Sequence, residues 1–532
     1  MKVKWTMLGV IVFFLLSVVL TCCFLWQFKM PKLKADAVVE ETEPEQMCPR
    51  FPEPVALKHP ISALRAALEQ VDALLKSSVH ATTLPAVSAI VVLNDSVLWN
   101  GHFGKRNISD PASDPPDEFT VYRIASLSKI FPTLMLYKLW EDGKVDSLDD
   151  PLEKYASNFT IKNPLGVRGR PAASSARTLG SRLPALSLRR LASQLSGLPR
   201  RLRSTNLLWN GDTETALSLL QDDVLVADPG TNWVSDNILV PLRMENTGFD
   251  FTPAVQRRMA VGVYANGQPA PLYDLGWYRP AGQMYSTPAD MAKLSMALLG
   301  AAGGRRLLRP DALRTMLTPV ARCHAGYFAS STGTPWEVNQ QLGYDVVRKD
   351  GDLDGFAATL ALVPRLQLGL VLLMAGVRPP ERELVSQAYG YLIPAVESAY
   401  RDAQPPVRPP PDPAPYVGFF TYKNMTFYEV LADSAGALTL QQFGPQVDTA
   451  VPPKYRNIGL HYLQERVFRA VFQRPYPCKM RTSSASASLE TQDRQLFNFY
   501  PFNQRGVSPG FDSPALSTYR VMRIPGRPYF TS

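Results

Sequence analysis

The chain has 532 residues, 45% hydrophobic and 19% charged, with a formal net charge of +9. That length exceeds what one hydrophobic core organises, and the composition excludes a wholly disordered chain. Lys162 and nine arginines between Arg168 and Arg203 account for the charge, with no acidic residue between Lys162 and Asp212 and no aromatic interleaved from Arg168 to Arg203. This predicts one solvated basic loop and no nucleic-acid partner.

The uncharged run from Met7 to Phe28 covers 22 residues. At about 1.5 Å per residue it is long enough to cross a hydrocarbon core of about 30 Å. It predicts a single-pass N-terminal transmembrane helix over residues 7–28, with the lipid bilayer as a partner. Lys29, Lys32 and Lys34 separate it from the cleavage-like Ala35-Asp36-Ala37, so the anchor reads as uncleaved. Residues 29–58, acidic and proline-containing, read as a tether. Asn-x-Ser/Thr sequons at Asn94, Asn107, Asn158 and Asn424 lean toward a glycosylated extracellular or lumenal domain.

Residues 59–403 carry mixed helical and β patterns. Ile61, Leu64, Leu68, Val71 and Leu75 predict a helix from Ile61 to Ser77. Ala86–Leu93 and Val97–Phe103 read as a hairpin turned at Asn94-Asp95. Ser126 to Asp142 reads as a helix stopped by Gly143. Residues 163–187, rich in Gly, Ala, Ser, Pro and Arg without a period, read as a disordered insertion. Ala289 to Leu299 is a helix entered at Ser286-Thr287-Pro288. Gly343–Lys349, Phe356–Val363 and Gln367–Met374 are β-rich, and Leu384 to Tyr400 is helical. Residues 404–415 are a proline-rich linker, and 416–532 a small C-terminal domain of short strands. The five cysteines form no disulfide framework, and the five histidines stand alone, so neither a metal nor an organic cofactor is expected.

Two short segments carry the chemistry. Ser126-Leu127-Ser128-Lys129 is the only Ser-x-x-Lys of the chain, at the start of a predicted helix. That spacing puts hydroxyl and amine on one helical face, about 5–6 Å apart at Cβ. A serine hydroxyl needs a neighbouring base to become a nucleophile, and a lysine of lowered pKa can serve. Lys349-Asp350-Gly351 is the only Lys-x-Gly, placed at the end of strand Gly343–Arg348. A cation there would face a substrate carboxylate or depress the pKa of Lys129. The glycine would let a ligand approach the strand.

These segments, in this order, resemble the first and third motifs of the serine β-lactamase (class C) and penicillin-binding protein family. Leu148-Asp149-Asp150-Pro151, Ser193 to Pro199, Asp228-Pro229-Gly230-Thr231, Pro241 to Phe249 and Pro280 to Thr287 are similar to the family's linking segments. The resemblance implies an α+β fold, an antiparallel sheet flanked by helices with a helical subdomain. It implies acyl-enzyme chemistry on a small-molecule or peptide ester or amide. Ser126 would be the nucleophile, Lys129 the base and Lys349 a charge at the site. Gly351 would line the strand, and the backbone N–H groups of Ser126 and Asp352 would form the oxyanion hole. A homo-oligomer is compatible with it.

The sequence also departs from the family. Only nine residues separate Thr231 from Pro241, and no tyrosine is among them, so the second-motif tyrosine and its helix are missing. Ser235-Asp236-Asn237 imitates a class A motif but reads better as the lead into Pro241. Asp350 stands where the family has Thr or Ser, and Pro132 falls one turn after Lys129. A catalytically impaired relative, acting as a binding or structural membrane protein, is the alternative reading.

Overall fold

The computed structural model describes residue 10, residues 13–21, 47–48, 51–155 apart from 53 and 81, 187–196, 211, 231–300, 307–323, 329–379, 383–403, and 407–530 apart from 473–475, 483–484 and 489–494. The chain divides into two compact units, one of Phe51–Gln404 and one of Met1–Arg50 with Pro405–Ser532.

The first unit is built on one sheet. Ala86–Leu93 (β1) and Ser96–Gly104 (β2) form the expected hairpin, with Asn94 in the left-handed region at φ 55°. Tyr122–Arg123 (β3) and Tyr285–Ser286 (β4) pair with each other. Ala321–Arg322 (β5), Ser331–Thr332 (β6), Glu337–Gln341 (β7), Tyr344–Leu353 (β8), Phe356–Val363 (β9) and Leu368–Ala375 (β10) complete the set. The main sheet runs β2-β1-β10-β9-β8-β7-β6-β5, antiparallel throughout.

β1, β9 and β10 are buried at every position. Antiparallel strands commonly wet one face, so continuous burial requires a cover on both. Pro60–Ser78 (α1) and Leu384–Ala403 (α6) supply one cover, with Leu64, Leu68, Val71, Leu392 and Val396 packed on Val87, Ala89 and Leu370. Ile130–Glu141 (α2), Pro288–Leu298 (α4) and Pro310–Leu317 (α5) supply the other, over Ile90, Leu360, Leu362 and Val371. Leu188–Ala192 (α3) is a single short helix tied to the loop before it, since Arg189 grips Asp149 with Nε at 2.8 Å and Nη2 at 3.0 Å. That ion pair removes Arg189 from the set of free solvated charges that the basic run suggested. The rest of 163–187, apart from Ser187, lies outside the described residues.

In the second unit, residues 418–422, 426–432, 438–443, 457–464, 467–471, 496–499, 510–513 and 518–524 close into an eight-stranded antiparallel barrel. Its interior is filled with rings. Phe511 meets Phe420 at 5.2 Å, Tyr428 at 5.6 Å, Phe497 at 5.8 Å and Phe499 at 5.1 Å. Arg523 anchors one end by donating to the carbonyls of Ser508, Val417 and Pro415 while stacking on Phe420. Cys478 is disulfide-bonded, whereas Cys323 of the first unit is a free thiol.

Of the expected anchor, Val10 and residues 13–21 are described, helical and exposed. Among the described residues no helix is long and apolar enough to cross a membrane. The rest of 7–28 and most of the tether 29–58 lie outside the described residues.

Candidate active site

Ser126 sits where β3 gives way to a helix. The turn is sharp: Ala125 takes φ 46°, a conformation that costs a non-glycine residue about 1–3 kcal/mol and persists only where its surroundings impose it. Ala125–Lys129 then forms a 3₁₀ turn before α2 begins at Ile130. The tighter winding brings Lys129 back onto Ser126, and its Nζ donates to Ser126 Oγ at 3.0 Å and to the Ala281 carbonyl at 2.9 Å. Both side chains are half-buried. Pro132 causes no interior break, because α2 starts only at Ile130 and the proline falls in its first turn, where its fixed φ is tolerated. At the far end Gly143 takes φ 70°, the expected stop.

The segment Pro280–Thr287 braces the turn. Ile124 N–H donates to the Met284 carbonyl at 2.9 Å, and Met284 N–H donates to Ser128 Oγ at 3.1 Å. Ser128 is fully buried, so its hydroxyl positions the turn while Ser126 faces the site. The Ala281 carbonyl is a site acceptor that sequence reasoning missed, since a backbone oxygen leaves no mark in the residue types. Arg123, fully buried under the turn, lies between the Tyr273 ring at 4.6 Å and the Phe251 ring at 5.2 Å. Burial lowers its pKa.

The expected third-motif strand is longer than its sequence suggested. β8 runs through Lys349, Asp350 and Gly351 to Leu353, and its pairing with β7 ends at Arg348. Gly351 faces the nucleophile turn. A Cβ there would lie 2.4 Å from the Ile124 carbonyl oxygen and 2.7 Å from Ser126 N, so only glycine admits this approach. Strand alternation sends Lys349 to the same face as Gly351 and Asp350 to the other. Asp350 therefore does not confront a substrate. It accepts from Arg348 Nε at 2.9 Å and Thr359 Oγ1 at 2.6 Å, with Arg378 Nη1 at 3.7 Å. Burial works to raise its pKa, but Arg378 and Arg348 outweigh burial and hold the carboxyl below its ordinary range. Asp352 is exposed and pairs with Arg378 at 3.1 Å.

Lys349 is buried and its Nζ is 2.5 Å from Glu337 Oε1 on β7. Glu337 Oε2 is also buried and has no hydrogen-bond partner. Burial pushes the Glu337 carboxyl above its ordinary range despite the Lys349 ammonium. Nothing in the sequence marked Glu337, because its meeting with Lys349 depends on strand register.

The region that replaces the second motif is one continuous helical run, Thr231–Val234, a π-helical turn Ser235–Leu239, and Val240–Leu242. It buries Val234, Ile238 and Leu239. Asp236 and Asn237 point to solvent, and Asn237 Nδ2 donates only to the local Trp233 carbonyl at 3.0 Å, as expected of a chance motif match. Tyr285 is no replacement for the missing tyrosine, as its hydroxyl would meet a Cβ built on Gly248 at 2.8 Å and its ring packs on Phe251. The other family-like segments are structural. Asp150 accepts from Tyr155 Oη at 2.5 Å, Lys154 Nζ at 2.9 Å and Ser147 N at 3.1 Å. Asp290, fully buried, accepts from Asn246 N at 2.8 Å and Thr247 Oγ1 at 3.0 Å, tying the 241–249 segment to α4. Residues 197–199 and 228–230, parts of two further similar segments, lie outside the described residues. A cavity of about 540 Å³ lined by Leu298, Leu308, Leu313, Val347 and Arg365 lies away from Ser126 and contains none of the site residues. Among the described residues no cluster could hold a metal ion.

Comparison with known proteins identifies the family. The beta-lactamase family model fits residues 71–240 and 234–390, two pieces that meet where the second-motif segment is short. Human beta-lactamase-like 1 is 56% identical over 510 residues, covering 91% of this chain and 100% of that protein. Beta-lactamase-like protein 2 of Dictyostelium discoideum is 28% identical over 359 residues, 61% of this chain and 62% of that one. The solved beta-lactamase/D-alanine carboxypeptidase of Yersinia pestis is 19% identical with a TM-score of 0.46, over 64% of this chain and 98% of its own. The family model alone spans more than half of the sequence, and the chain belongs to the beta-lactamase family.

Proposed function

We propose that the chain is a serine hydrolase that forms an acyl-enzyme at Ser126 on an ester or amide. The observation that carries this is the 3.0 Å contact between Lys129 Nζ and Ser126 Oγ, on a turn strained at Ala125 and closed against Gly351. As base, Lys129 would be neutral and take the Ser126 proton while Oγ bonds to the acyl carbon. Its ammonium would then give that proton to the departing alcohol or amine. Water would repeat the sequence to release the acid and restore Ser126. The N–H groups of Ser126 and Asp352 would receive the developing oxyanion. The test is a fluorophosphonate probe on the purified full chain: labelling of the native protein and none of Ser126→Ala is expected. Equal labelling of both would remove Ser126 from the chemistry.

The missing second-motif tyrosine favours a second reading. No tyrosine occurs between Tyr155 and Tyr264, so the sequence holds no counterpart of the family's second-motif tyrosine. On this reading the protein keeps the fold as a binding or structural module, and no acyl donor turns over. The membrane-anchored, extracytoplasmic placement is likewise proposed. It is supported by the 22-residue uncharged run of 7–28, by the disulfide at Cys478 and by the exposed sequon at Asn424. Release of the protein from membranes by high-salt washing without detergent would overturn the anchor.

A further inference from the structure

We propose that Glu337 sets the substrate class of this site, by engaging the Lys349 ammonium that a substrate carboxylate would otherwise use, so that the enzyme selects uncharged acyl donors. This rests on the assignment of Ser126 as nucleophile. A lysine two residues before Gly351 lies on the face of β8 that meets the Ser126 turn, and a free cation there would recognise an anionic group on the substrate. In this chain it is not free. Glu337 Oε1 lies 2.5 Å from Lys349 Nζ, and the two side chains are only 13% and 5% exposed. An ion pair so shielded from water is not displaced by a dilute external carboxylate without leaving Glu337 as an uncompensated buried charge.

The second oxygen strengthens the case. Glu337 Oε2 is buried and accepts no hydrogen bond, so the carboxylate keeps unmet acceptor capacity beside the ammonium. A carboxylate would meet repulsion there, whereas an uncharged ester or an amide N–H would not. The following residues do not restore a positive surface. Asp352 engages Arg378 at 3.1 Å, and Asp354 accepts from the Tyr273 hydroxyl at 3.1 Å. Lys129 contacts the nucleophile itself and serves proton transfer, so it does not take the place of Lys349 as an anion-binding group.

The experiment compares two nitrophenyl esters of similar size on the full chain in detergent, a butyrate and a carboxylate-bearing succinate, in the native protein and in Glu337→Gln. The native protein is expected to favour the butyrate in kcat/KM by about 10- to 100-fold, the scale of one hydrogen bond to a charged group. Glu337→Gln removes the negative charge that neutralises Lys349 and is expected to bring the two esters within a few-fold of each other, mainly by raising turnover of the succinate. Native protein that takes the succinate as readily as the butyrate overturns the proposal, and that measurement stands even where the variant fails to fold. A folded variant that keeps the native preference also overturns it. Loss of fluorophosphonate labelling in the native protein instead refutes the hydrolase assignment, so the two failures are distinguishable.

Discussion

The two faces of strand β8 carry neighbouring residues of one short motif and treat charge in opposite ways. On the face turned from Ser126, Asp350 is saturated by Arg348, Arg378 and Thr359, and Arg348 in turn holds Glu383 at 2.6 Å. On the face toward Ser126, Lys349 has Glu337, whose second oxygen is buried without a partner. Buried polar groups are normally satisfied, and exceptions call for an explanation. The difference teaches that polar groups are satisfied behind the strand, while unmet hydrogen-bonding capacity is left at the partner of Lys349, on the face that carries Gly351.

The sharpest way to break this division is at Gly351. Gly351→Ala puts a methyl 2.4 Å from the Ile124 carbonyl and 2.7 Å from Ser126 N, and the turn must move. A displaced nucleophile is expected to lower kcat/KM on a neutral ester by about 100-fold. Asp350→Ala attacks the other face. Leaving Arg348 and Arg378 without their shared carboxylate is expected to cost about 3 kcal/mol in denaturant unfolding, with Ser126 still labelled in the folded fraction. Native labelling lost together with stability would mean the faces are not separable.

Acid titration probes the same network. Asp350 has a folded pKa below its unfolded one, so its contribution is fully present above the unfolded value of about 3.9 and is lost as pH falls through the folded value. The acid limb of the native protein's stability should therefore be steeper than that of Asp350→Asn. The smallest effect is expected from Tyr389→Phe, which removes the hydrogen bond from α6 to the Ala361 carbonyl at 2.7 Å and should cost about 1 kcal/mol.

Much of this architecture was legible in the residues. The hairpins, the helices α1, α4 and α6, and the Ser126-to-Lys129 spacing follow from periodicity and turn chemistry, which are local. What escaped was set by contacts distant in sequence. β8 continues past Lys349 because β9 pairs along it to Leu353, which no β-propensity in Lys-Asp-Gly announced. Glu337, Arg378 and the Ala281 carbonyl meet the motif only through sheet register and the brace at Pro280–Thr287. Pro132 read as a breaker because the switch from 3₁₀ to α winding at Ile130 is not written in propensity. The C-terminal strands were expected, but their closure into a barrel was not, since closure depends on how the first and last strands find each other.

That closure has a consequence for how the C-terminal unit tolerates change. A ring of strands has no terminal member, so deleting any one opens the whole circle and bares two unpaired backbone edges along with the phenyl-packed lumen. Shortening the protein within 418–524 should thus remove this unit outright instead of trimming it, whereas the sheet of the first unit can lose its outermost two-residue strand and keep its centre intact.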